Sequence, residues 1–296
     1  FAASGSLGFD GRGWPWERWL PRFCFDPSLF CIVLKTLTKQ PRKGHGWLKV
    51  RPIFYEGFEL VGWLNALGLP NPGFYNWYHE SRHKIDFKKN KIIVSIASTS
   101  KDPADELYEM AACLDGIPDL TAIELNVSCP NIKDRAERAP KDLTDQNTRE
   151  VIGICKAIHH HTHHPIILKL TCIQDYVAIA KGTDNMVSAI SINAVPYHVL
   201  APIVFPRGRI SPLEKYGSGA FSGKVAQSIT WKMVQELTAA ATIPIIGPGV
   251  WEYEDVDNLF QLGAKAVHFG SVFMAYPWWP TLAVKRWYKK EKSKVA

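Results

Sequence analysis

Short β-branched runs recur along the chain between stretches whose apolar positions carry helical spacing. The runs are Phe30 to Thr38, Lys91 to Ala97, Ala122 to Ser128, Pro165 to Thr171, Ala189 to Ala194, Ile243 to Gly249 and Ala266 to Gly270. Helical spacing holds over Asp102 to Leu114, Asp142 to His159, Ser228 to Ala241 and Tyr253 to Leu262, with Asp or Ser near several starts and Gly263 after the last. Strands alternating with helices imply parallel β/α units. Seven runs plus the chain's opening make eight strands, the count of a closed (β/α)8 barrel, whose chemistry lies where strands hand over to loops at their C-terminal ends.

Two long excursions interrupt the pattern, residues 39 to 90 and residues 195 to 227. Both exceed a simple βα connection and are expected to fold over the C-terminal mouth of the barrel. No Ser- or Pro-rich linker divides the chain and no fixed-period repeat is present. One domain spanning residues 1–296 is therefore expected.

With 46% hydrophobic residues in 296, the chain can bury a large core, which sets disorder aside. No apolar run approaches a bilayer-spanning helix and no basic-then-apolar leader opens the chain, so a cytoplasmic protein without a membrane partner is expected. The six cysteines are scattered, with no Cys-x-x-Cys pair and no zinc spacing, which reads as reduced thiols rather than a disulfide frame or a metal site. His159, His160, His161, His163 and His164 precede a strand and read as a surface loop. The net charge of +7 speaks to association rather than fold. Much of it is local, in a basic stretch from Lys285 to Lys294 that reads as a solvated helix tail.

Candidate chemistry concentrates in Ile123-Glu124-Leu125-Asn126-Val127-Ser128-Cys129-Pro130-Asn131, where a strand-like run breaks at a Ser-Cys-Pro turn with an Asn on either side. Two neutral carboxamides can donate to and accept from a flat polar ligand, and a thiolate can take a proton from it. That combination suits acid-base chemistry on a heterocycle.

Four segments in chain order resemble the dihydroorotate dehydrogenases: Ala3-Ser4-Gly5-Ser6-Leu7-Gly8-Phe9, Leu34-Lys35-Thr36-Leu37-Thr38, Asn65-Ala66-Leu67-Gly68-Leu69-Pro70-Asn71 and Asn126-Val127-Ser128-Cys129-Pro130-Asn131. The similarity continues through Leu168-Lys169-Leu170, Ile192-Asn193, Gly219 to Gly223, Ile245 to Gly249 and Phe269-Gly270-Ser271. The resemblance implies an FMN-containing (β/α)8 barrel that oxidises dihydroorotate to orotate in pyrimidine synthesis, passing a hydride to flavin N5. Cys129 then matches the catalytic base; Cys at that position resembles class 1 members, whereas class 2 members use Ser. A thiol is the better base near neutrality, since its ordinary pKa of about 8.5 falls further beside positive charge, and Lys35 is the candidate source of that charge. Asn65, Asn126, Asn131 and Asn193, together with Leu69 in its Gly-Leu-Pro-Asn segment, match the pyrimidine-binding positions. Ala3, Ser4, Gly5, Lys35, Thr36 and Lys169 match positions against the flavin, and Gly223, Gly249, Gly270 and Ser271 match those around its phosphate. No metal site is implied.

Three departures refine these expectations. Gly249 is followed by Val250 and Trp251 where a second glycine is usual, so the phosphate grip should differ in detail. Residues 132 to 138 are charged and lack a glycine, which bears on the loop that covers the site. Members of the family begin earlier than Phe1, so the natural N-terminus is expected upstream. The resemblance further implies a homodimer, and as oxidant fumarate, NAD through an iron-sulfur flavoprotein subunit, or a quinone. Two other functions share parts of the pattern. A tRNA-dihydrouridine synthase-like flavoenzyme shares an FMN barrel, a Cys-Pro turn and a basic surface. Against it, the Asn set fits a small free pyrimidine, and no basic domain with interleaved aromatics marks a nucleic-acid partner. A non-catalytic flavin-binding barrel is the other.

Overall fold

The protein is described from a computed structural model covering residues 1–46, 49–100, 102–127 and 140–295, without the side chains of 140–146, 294 and 295. In chain order its strands are β1 (Ile32–Val33), β2 (Leu37–Thr38), β3 (Val50–Tyr55), β4 (Glu59–Asn65), β5 (Ile92–Ala97), β6 (Ala122–Asn126), β7 (Ile166–Leu170), β8 (Ala189–Ile192), β9 (Val195–Pro196), β10 (Ala220–Ser222), β11 (Ile245–Gly247) and β12 (Ala266–Val267). The helices are α1 (Phe74–Asn76), α2 (Pro103–Asp115), α3 (Pro140–His159), α4 (Tyr176–Gly182), α5 (Tyr197–Val204), α6 (Gln227–Ala240), α7 (Glu254–Gln261), α8 (Val272–Ala275) and α9 (Trp279–Val295).

Strands β1, β5, β6, β7, β8, β11 and β12 are hydrogen-bonded in that order, and β2 pairs further along β5. All of these pairings are parallel. The opening segment closes the cylinder: Ala2 bridges in parallel to both Ile32 and Phe269. Its N–H donates to the Cys31 carbonyl at 2.9 Å, and the Ala3 N–H donates to the Phe269 carbonyl at 2.8 Å. The chain's opening is thus a strand of the barrel, as the spacing predicts, and the fold is a (β/α)8 barrel. Among the described residues no helix is long and apolar enough to cross a membrane.

Alternation along each strand sorts the barrel into layers. Outward residues such as Ile92, Val94, Ile96, Ile123, Leu125, Leu168 and Ile190 pack in one core with Leu107, Met110, Val151, Ile154, Val234 and Leu237 from the helices. Inward residues Val33, Ile93, Ala122, Ile167 and Ile246 form a separate apolar plug. One inward step further along the strands stand Ser95, Glu124, Lys169 and Ser191, all buried and all polar. A polar layer on an apolar plug is the floor of a site at the C-terminal end.

The two excursions acquire structure by pairing with each other. β3, β4, β10 and β9 form an antiparallel sheet in that order, with Asn65 opposite Ala220 and Ala220 opposite Pro196. A second core of Leu64, Val195, Tyr197, Leu200, Leu213 and Phe221 lies against it. The approach is close enough to require glycine. A Cβ on Gly62 would sit 2.2 Å from the Ser222 carbonyl oxygen, and Gly223, at φ +99°, would place one 2.8 Å from the Gly62 Cα. The strands of this sheet do not declare themselves in the sequence, because β3 contains Pro52 and is exposed at most positions. Helix α4 is also absent from the sequence reading. It is seven residues long, and Asp175 caps it by accepting from the Ala178 N–H at 3.0 Å.

Candidate functional site

The polar floor opens into a cavity of about 390 Å³, within the roughly 300–1,000 Å³ common for small-molecule sites. Fourteen of the residues singled out in the sequence line it: Ala3, Ser4, Gly5, Lys35, Thr36, Asn65, Leu69, Asn126, Lys169, Asn193, Gly223, Gly249, Gly270 and Ser271. They come from both ends of the chain, from five barrel strand ends and from both inserted segments. Cys129 and Asn131 lie outside the described residues.

Strand register explains the convergence. Ser95 stands opposite Glu124, Asn126 opposite Lys169, and Lys169 opposite Ser191, so four neighbouring strands deliver polar side chains to adjacent levels. Glu124 is the hub. It accepts from the Ser95 hydroxyl at 2.8 Å, the Ser191 hydroxyl at 3.2 Å and the Lys169 ammonium at 3.3 Å. Since the single Ser95 proton goes to the carboxylate, Ser95 must accept from Thr36 Oγ1 at 2.9 Å. Thr36 in turn accepts from Asn126 Nδ2 at 3.2 Å. The buried charge therefore fixes a one-way series of donors running from Asn126 through Thr36 and Ser95 to Glu124. It also fixes which end of the Asn126 amide is the donor. Ser4, 3.0 Å from Thr36 Oγ1, joins the same network.

Asn71 shows how the Gly68-Leu69-Pro70-Asn71 turn is held. Leu69 adopts φ +54°, a left-handed conformation that costs a branched residue about 1–2 kcal/mol. The Asn71 amide nitrogen donates to the Leu69 carbonyl and to Thr38 Oγ1, both at 2.8 Å, while its oxygen accepts from the Thr38 and Gly73 N–H groups. Asn71 is thus spent on structure, and Leu69 is held against the cavity.

On the opposite wall, Val250 and Trp251 take the place of a second glycine. Asp255 accepts from the Trp251 N–H at 2.7 Å and the Glu252 N–H at 2.8 Å, so those two donors are turned away from any ligand. Gln227 and Trp231 hold the Gly249 and Pro248 carbonyls at 2.8 and 3.0 Å. The altered glycine motif is therefore an internally satisfied corner.

Among the described residues, four charged side chains line the cavity, Lys35, Lys43, Lys169 and Glu17. Burial pushes the Glu17 carboxyl up to about 7, outweighing the hydrogen bond from the Trp14 N–H and the nearby Arg18. Near neutrality the cavity is thus cationic, suited to an anionic ligand. Because the folded pKa lies above the ordinary 4.5, the stability tied to Glu17 is fully present below about pH 4.5 and is lost as pH rises through about 7. Glu17→Gln should flatten that decline and stabilise the protein at pH 8 by on the order of 1–3 kcal/mol. Urea denaturation of both proteins at pH 6 and pH 8 reads the difference, and parallel pH slopes would refute it.

The sequence reading missed Glu17, Lys43, Glu124 and His268. The last two carried a signal, since each is a polar residue set inside an apolar strand run.

A sequence profile of the family described as dihydroorotate dehydrogenase matches residues 6–285. The chain belongs to that family. Its members are oxidoreductase flavoproteins of pyrimidine biosynthesis. The chain is 32% identical over 279 residues to a protein of Geobacillus kaustophilus named dihydroorotate dehydrogenase B (NAD(+)), catalytic subunit, covering 93% of this chain and 81% of that one. A Maridesulfovibrio salexigens protein of the same name is 28% identical over 273 residues, 91% of this chain and 81% of its own. A Lactiplantibacillus plantarum protein named dihydroorotate dehydrogenase A (fumarate) is 30% identical over 253 residues, 83% and 76% respectively.

Proposed function

We propose that the chain is a cytoplasmic enzyme that oxidises dihydroorotate to orotate with FMN. The observation that carries this reading is the cavity that Lys35, Asn65, Asn126, Lys169 and Asn193 line together. The donor set fits the cofactor. Lys169 is nearly buried and spends one bond on Glu124, leaving ammonium protons for a ligand. The lysine excess suits both a phosphate and a substrate carboxylate. When bound, FMN supplies the hydride acceptor.

The chain's own groups supply the rest. Asn65, Asn126 and Asn193, with Asn131, hold the pyrimidine ring by donating and accepting hydrogen bonds without introducing a charge that would compete with its carboxylate. Leu69 presses on the ring from its constrained turn. Cys129, three residues beyond Asn126 in sequence, takes the proton from the carbon alpha to the ring carbonyl, and Lys35 favours its thiolate form. Lys169 would contact the flavin, and the Lys35 ammonium, against both flavin and substrate, would offset negative charge there. Ala3, Ser4, Gly5 and Thr36 shape the ring seat, and backbone N–H groups around Gly223, Gly249, Gly270 and Ser271 take the phosphate.

The names of the relatives in Geobacillus and Maridesulfovibrio support a partner subunit that carries electrons onward, and we propose an iron-sulfur flavoprotein for that role. An oxidant screen tests the whole reading: the full-length protein with dihydroorotate, offered fumarate, NAD with the partner subunit, and a soluble quinone in turn. Orotate formation with at least one of them is expected. Absence of orotate with all three, in protein that holds FMN, would refute the assignment.

A further inference from the structure

We propose that His268 is a cofactor-contacting residue whose neutral imidazole hydrogen-bonds the flavin ring beside Lys169. The inference rests on the flavin-dependent reading above and adds a residue that the family motifs do not mark.

His268 follows β12, where its backbone N–H donates to the Gly247 carbonyl at 2.9 Å, anchoring the residue between β11 and α8. Its side chain lines the cavity and is 8% exposed. Among the described residues neither ring nitrogen has a hydrogen-bond partner. The ring nitrogens are not sealed inside the protein as the Trp63 and Trp287 ring nitrogens are; they reach the open cavity, where a bound ligand can pair them. A partnerless imidazole on a cavity wall therefore points to a ligand that completes it.

Charge decides which part of the ligand. Burial and the Lys169 ammonium hold the imidazole far below its ordinary range, at about 3, so it offers one N–H donor and one bare nitrogen acceptor. A phosphate would select a protonated imidazole. The uncharged alternation of N–H, ring nitrogen and carbonyl along the pyrimidine edge of a flavin matches a neutral one. Position agrees: the next residue, Phe269, accepts the Ala3 N–H at 2.8 Å, which ties His268 to the segment proposed to seat the ring. The flavin would then choose the tautomer.

The test compares the parent, His268→Leu and His268→Gln by FMN titration of the apoprotein, followed by flavin fluorescence, and by apoprotein thermal unfolding. His268→Leu should raise the FMN dissociation constant about ten- to a hundredfold, while His268→Gln, which keeps a donor and an acceptor, should stay within a few-fold of the parent. Apoprotein His268→Leu should unfold no lower than the parent, because the imidazole makes no hydrogen bond within the described protein for the substitution to break. If His268→Leu binds FMN within twofold of the parent, the contact does not exist. If its apoprotein melts lower and His268→Gln fails to restore binding, the role is structural. A parent that binds no FMN would refute the functional reading itself.

Discussion

Cys129→Ala is expected to keep its FMN and to reduce it with dihydroorotate about 10²–10⁴-fold more slowly than the parent, the usual loss when a positioned base is removed. The size follows from the division of labour proposed for the cavity. Among the described residues, lysines and carboxamides line it, and besides Glu17 none of its charged residues is an acid. Glu17 accepts from the Trp14 N–H at 2.7 Å, which holds its carboxyl in place on the cavity wall. Cys129→Ser should fall between the two, since a hydroxyl ionises far less readily than a thiol. Anaerobic stopped-flow absorbance measures the reduction, and the flavin content of each purified variant shows that binding is intact. Equal rates in Cys129→Ala and parent would remove the thiol from the mechanism.

Glu124→Ala should destabilise the protein by about 3–5 kcal/mol, because removing one partner of a buried ion pair leaves the other charge uncompensated. The Glu124 and Lys169 side chains are 3% and 8% exposed, and the substitution also strands the Ser95 and Ser191 hydroxyls. The loss should not be confined to stability. Without the carboxylate, the donor series from Asn126 through Thr36 has no fixed end, so FMN and substrate should both bind more weakly. Glu124→Met combined with Lys169→Met should recover much of the stability, since an apolar pair can replace a buried ionic one, without recovering flavin binding. Chemical denaturation of the parent and the two variants decides it. A Glu124→Ala loss below about 1 kcal/mol would mean that the pair is not buried as described.

The barrel was legible because it depends on local pattern, and fourteen of the lining residues were legible because the segments that carry them resemble a known family. Hydrophobic runs such as Ile92 to Ala97 announce strands, and Asn65, Asn126, Lys169 and Asn193 stand at or just beyond strand ends, where barrel chemistry gathers. Glu124 and His268 stand out as polar residues inside apolar runs, but which way they face was not legible. Their inward direction depends on register between strands 29 to 67 residues apart, as in the bonds from Ser95 and Ser191 to Glu124. The inserted sheet was hidden for a similar reason, since β4 finds β10 only after more than half the chain has intervened. The left-handed Leu69 also could not be read, because its conformation is imposed by Asn71 from within the turn rather than preferred by leucine.

The most direct measurement is anaerobic mixing of the FMN-loaded protein with one equivalent of dihydroorotate while its visible spectrum is followed. Bleaching of the yellow flavin band, with one orotate formed per flavin, is the result expected of a cavity that binds the two in contact. A spectrum that stays unchanged while FMN remains bound would contradict it.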